Sequence, residues 1–69
     1  MERNAAPPAA YSVPGFCKSH GISRSFLYLL WRERRGPRVM RVGGRTLISA
    51  EAAADWRRAM EASSGGVAK

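Results

Sequence analysis

Only three residues, Gly21-Ile22-Ser23, separate two segments that each carry helix signals, and this link constrains the fold more than any other stretch. Ser12 can cap a first helix running from Val13 to about His20. Pro14 falls in its first turn, where the missing N–H is not needed. Gly21 supplies the left-handed residue that ends it. Ser23 then caps a second helix, Arg24 to about Arg34, which Gly36-Pro37 terminates. A glycine-containing link this short forces the helices to cross steeply, the helix-turn-helix arrangement.

The next signal is R-V-M-R-V-G-G-R-T-L-I-S. Two runs rich in β-branched residues, Arg38 to Val42 and Arg45 to Ile48, flank Gly43-Gly44, and this pair supplies the positive φ angles of a two-residue hairpin turn. Ser49 can cap a third helix, Ala50 to about Ala62, with Glu51 suited to the dipole at its start. Ala53, Trp56 and Met60 form its apolar stripe, with Ala52 and Ala59 beside it and Arg57 and Arg58 outside it, solvated. The order helix, turn, helix, hairpin, helix predicts a mainly α fold with a β-hairpin: a winged helix-turn-helix. Residues 1–10, rich in Ala and Pro, read as a flexible arm, and residues 63–69 as a flexible tail. The folded domain is expected over 11–62.

Charge narrows the partner. The net charge is +7, and from Lys18 to Arg45 there are eight basic residues against Glu33 alone, so the whole excess sits in one central block. A contiguous one-signed block of this kind points to a polyanion. No row of stacking aromatics accompanies it, which favours duplex over single-stranded nucleic acid. Cys17 is the only cysteine, so no internal disulfide forms, and Cys17 with His20 lacks the second ligand pair of a zinc site. Cys17 reads as a small buried thiol. The sequence shows no signal-peptide core and no apolar run long enough to span a membrane, so a soluble cytoplasmic protein is expected. One His without a partner base, scattered acids and no phosphate loop argue against an enzyme, a cofactor, a metal or a small-molecule substrate.

The second helix shows how the polyanion would be met. Counted from Phe26, Leu30, Leu27 and Trp31 fall at about 40°, 100° and 140°, a core face. Arg24, Arg35, Tyr28, Arg32 and Ser25 fall at about 160° to 260°, a face of cations and hydrogen-bond donors that fits the DNA major groove. Arg34, near 80°, would snorkel at the helix end. Ser23, Ser25 and the amides of the helix N-terminus suit a backbone phosphate. Arg38, Arg41 and Arg45 line the hairpin, and Gly43 and Gly44 let its tip approach the DNA backbone or minor groove closely. Phe26 and Leu29 form an apolar flank between core and groove, suited to a thymine methyl or to a neighbouring copy in cooperative self-association on DNA.

The stretches G-I-S-R-S-F-L-Y, R-E-R-R-G-P and V-M-R-V-G-G-R-T-L-I-S-A-E-A-A-A-D-W resemble the excisionase and AlpA-type family of small MerR-like winged-helix DNA-binding proteins, over about residues 11–61. The resemblance implies an excisionase, or recombination directionality factor, that binds attachment-site DNA and steers an integrase toward excision. The alternative within the family is a transcriptional regulator of phage or mobile-element genes. It also implies that Arg24, Ser25, Tyr28 and Arg32 enter the major groove and that Gly43, Gly44 and Arg45 meet the backbone or minor groove. A different class, a protein-interaction adaptor that binds no DNA, would use the apolar flank instead.

Overall fold

The computed structural model describes residues 9–64. Their order is β1 (Ala10–Ser12), α1 (Val13–His20), α2 (Arg24–Arg32), β2 (Met40–Val42), β3 (Arg45–Ser49) and α3 (Ala50–Ser63). The three helices pack with a three-stranded antiparallel sheet in the order β1-β3-β2, so the arrangement is mixed α/β. A strand that the sequence did not announce is added where the expected arm meets the expected domain: Tyr11 pairs with Ile48, and the Ala50 N–H donates to the Ala9 carbonyl at 2.8 Å. Most of the expected arm and tail lies outside the described residues. Of the parts described, Ala10 opens β1 and Ser63 closes α3.

Each helix starts on a serine. The Oγ atoms of Ser12, Ser23 and Ser49 accept from the N–H groups of Gly15, Phe26 and Ala52 at 3.1, 3.0 and 3.0 Å. Each such cap contributes about 1 kcal/mol. Ser12 and Ser49 also end β1 and β3, so both strands turn into helices without a loop, side by side in the sheet.

The two helices before the hairpin end in the same way. At the end of α1, Gly21 takes φ 69°, and the Ile22 N–H reaches back to the Cys17 carbonyl at 3.1 Å. Helix α2 stops at Arg32, before the expected Arg34, because Arg34 itself takes φ 62° and the Arg35 N–H donates to the Leu30 carbonyl at 2.8 Å. Arginine here occupies the left-handed position that glycine usually fills, at a cost of about 1 kcal/mol. Arg34→Gly is therefore expected to stabilise the chain by about 0.5–1 kcal/mol, less any gain in unfolded-state entropy, as read by urea unfolding. An unchanged or lower midpoint would show that Arg34 is held by something other than the helix end.

The hairpin has the expected two-residue turn, with Val42 opposite Arg45, but its first strand begins at Met40 rather than Arg38. Only Gly43 of the pair has positive φ, 61°, the pattern of a type II′ turn.

The core gathers one or two residues from most elements. Phe16, Leu27 and Ile48 are fully buried, with Cys17, Ala52 and Ala53 filling between them, and Leu30 is buried too. Tyr11, Val13, Ile22, Trp31 and Trp56 pack around this centre. Phe16 stacks on His20 (centroids 4.0 Å) and meets Tyr11 and Trp56 edge-on at 6.0 and 5.4 Å. His20 lies 2.9 Å from the Phe16 carbonyl through Nδ1 and 2.9 Å from the Arg57 guanidinium through Nε2. A carbonyl only accepts and a guanidinium only donates, so Nδ1 carries the proton and Nε2 is bare. Arg57, expected to be merely solvated, thus helps fix this ring. No described helix is long and apolar enough to cross a membrane.

Candidate nucleic-acid interface

Helix α2 is divided as its periodicity requires. Leu27 and Leu30 are buried and Trp31 half-buried, whereas Arg24, Ser25, Tyr28 and Arg32 are exposed. Tyr28 is 53% exposed although its ring meets the Trp31 indole at 5.4 Å, so its hydroxyl end is available to a partner. At the helix start, Ser23 Oγ is occupied by the Phe26 N–H. The N–H groups of Arg24 and Ser25, in the first turn, have no intrahelical acceptor and point out of the helix end. One face thus presents two guanidinium groups, two hydroxyls and two backbone donors.

Arg35, expected on this face, and Arg38, expected on the hairpin, are both engaged by other residues. Arg35 lies beyond the left-handed turn at Arg34, so the helical count that set it beside Tyr28 does not apply. Its side chain lies 3.6 Å from Glu33, and its carbonyl accepts from the Trp56 indole at 2.8 Å. Arg34 is exposed and lines a second, smaller cleft of about 290 Å³ between residues 34–38 and α3. Arg38 precedes β2 and pairs with Asp55 of α3 at 3.0 Å, and Arg58 pairs with the same carboxylate. The Arg38 guanidinium, hydrogen-bonded to Asp55, holds that carboxyl below the usual aspartate range, with Arg58 adding to the effect. Arg38 is therefore partly neutralised and directed toward α3.

The hairpin arginines divide between two faces. Arg41 is opposite Thr46, and Thr46 shares its side of β3 with the buried Ile48, so Arg41 looks toward α2. Arg45 is opposite Val42 and lies on the outer side with Leu47 and Met40. A cleft of about 520 Å³ lies between α2 and the hairpin, with Tyr28 and Trp31 on one wall, Val39, Arg41 and Thr46 on the other, and Pro37 and the Asp55-paired Arg38 also lining it. Gly43 and Gly44 form the tip, and a Cβ added to either would meet nothing within 4 Å. Close approach by a partner is therefore open there.

Val39, Trp31 and Thr46 were not anticipated as site residues. The hairpin register contained the signal for Thr46: a two-residue turn at Gly43-Gly44 sets it directly across from Arg41. Phe26 and Leu29 are 46% and 38% exposed, an apolar flank beside the polar face as expected. Met40 and Val42 add exposed apolar surface on the outer side of the hairpin. Among the described residues, no group of three or more His, Cys, Asp or Glu side chains could hold a metal ion.

No family model, curated protein or solved structure matches the chain.

Proposed function

We propose that the chain is a small winged helix-turn-helix protein that binds double-stranded DNA, with α2 in the major groove and the β2–β3 hairpin as the wing. The observation that carries this reading is the division of α2: Leu27 and Leu30 are buried while Arg24, Ser25, Tyr28 and Arg32 stand exposed together, and Arg41 faces Tyr28 across a cleft. Guanidinium groups on such a face can grip guanine edges or phosphates, and the free amides of Arg24 and Ser25 suit a backbone phosphate. The one-signed block from Lys18 to Arg45 adds attraction for the duplex over its whole length. Arg45 at the hairpin tip reaches the backbone or minor groove of the adjoining turn.

Within this reading the role is that of an excisionase, or recombination directionality factor, acting with an integrase and without catalysis of its own. Support for the biological role comes from the motifs G-I-S-R-S-F-L-Y and R-V-G-G-R, which resemble that family. The exposed Phe26 and Leu29 favour cooperative binding of neighbouring copies on tandem sites. Transcriptional regulation by the same fold is the second reading, and an integrase gene beside the coding sequence would favour excision. Mobility shift of duplex DNA over a salt series tests the shared premise. Binding that weakens as salt rises supports it, and absent or salt-insensitive binding removes it in favour of a protein-interaction adaptor.

A further inference from the structure

Trp31 belongs neither to the closed core nor to the open face of α2. Its ring is half-buried, its edge meets Tyr28, and its Nε1–H donates to the Pro37 carbonyl at 2.8 Å. A Cβ on Gly36 would lie 2.4 Å from Trp31 Cδ1, so the indole rests against bare backbone that only glycine provides. From the other side the Trp56 indole donates to the Arg35 carbonyl at 2.8 Å. Residues 35–37 are thus held between two indoles. Strand β2 begins soon afterwards at Met40, so this clasp fixes where the hairpin stands relative to α2.

Beside the clasp lies the 520 Å³ cleft between Tyr28 and Trp31 on the helix and Val39, Arg41 and Thr46 on the hairpin. Its walls offer aromatic and aliphatic surface together with the Arg41 guanidinium, the Arg38 guanidinium already paired with Asp55, and the Thr46 hydroxyl. A sugar–phosphate strand has the complementary pattern, with apolar C–H faces on the deoxyribose rings alternating with anionic phosphates. The net charge of +7 favours this polyanion over an apolar peptide.

We propose that the cleft seats one sugar–phosphate strand of duplex DNA, with deoxyribose against Tyr28 and Val39 and phosphate at Arg41 and Thr46, and that Trp31 is the positioning residue that sets its width. The proposal rests on the duplex-DNA reading above and adds to it a strand seat and a residue that shapes it.

Trp31→Phe keeps an aromatic ring beside Gly36 but removes the N–H donated to Pro37 and the second ring of the indole. Binding is measured on a duplex recovered by the wild-type protein from a random-sequence pool, and on unselected duplex, over a salt series. The expected result is a thermal midpoint within a few degrees of wild type, about 10-fold weaker binding to the selected duplex, and a salt slope smaller in magnitude by about 1. A change confined to stability would leave slope and preference untouched, and that outcome overturns the positioning role. Thr46→Val tests the seat itself without endangering the strand, because valine favours strands. It should weaken both duplexes about threefold, with Thr46→Ser restoring the affinity, from loss of one phosphate hydrogen bond. Unchanged binding by Thr46→Val overturns the strand seat even where Trp31→Phe proves unstable. Failure of the wild-type protein to bind any duplex is a separate result, since it overturns the DNA reading before the cleft is in question.

Discussion

Phe16→Ala is expected to cost about 3–5 kcal/mol, enough to unfold much of the protein. A chain of this size has a total stability of roughly 3–8 kcal/mol, so one such loss is comparable with the whole. Phe16 is fully buried and contacts rings from three elements: Tyr11 of β1, His20 of its own helix and Trp56 of α3. Removing it leaves a void that short, well-capped helices cannot close by sliding, and it frees the ring against which His20 is stacked. Thermal and urea unfolding followed by circular dichroism read the effect. A loss below about 1 kcal/mol would mean that the β1–α1–α3 contacts do not hold the fold together.

The second large effect is on binding. Arg24→Ala and Arg32→Ala together are expected to weaken binding to a selected duplex by about 100-fold or more, since each well-placed guanidinium contact contributes roughly 1–3 kcal/mol. Binding to unselected duplex should fall much less. Both residues are exposed and alanine favours helices, so the fold should remain intact. Arg45→Ala gives the contrast: it sits at the hairpin tip on the outer side of the sheet, and its loss should weaken all duplexes by a similar, smaller factor. Equal losses on selected and unselected DNA from the α2 changes would mean that α2 is not the reading element.

The helices and the hairpin were legible because their signals are local. Three serines stand one residue before their helices, glycine ends the first, and Gly-Gly marks the turn, each readable within a few residues. The division of α2 was equally legible, because a period of about 3.6 residues sorts Leu27 and Leu30 from Arg24 and Tyr28 without reference to the rest of the chain. Strand β1 was not. Ala10-Tyr11-Ser12 is too short to show alternation, and only its partner β3, far along the chain, makes it a strand. The end of α2 misled because Gly36 looks like a helix stop. Its lack of a side chain instead makes room for the Trp31 indole, and Arg34 takes the left-handed turn.

The same contrast runs through the site. Arg24, Ser25, Tyr28 and Arg32 came from helical spacing and stand together on the surface. Arg35 came from the same spacing carried past the helix end, and Arg38 from its place at the start of the β-branched run. Neither spacing nor local sequence reveals that the first lies past a helix end or that the second faces Asp55 of a helix formed much later in the chain.

In the proposed function this basic block meets the phosphates of duplex DNA through α2 and the hairpin. The most direct measurement of this is the affinity for duplex DNA as a function of salt concentration. A straight line on logarithmic axes is expected, with a slope of magnitude about 4 to 8 set by that many phosphate contacts. A slope near zero, or no binding to duplex at low salt, would contradict the proposed function.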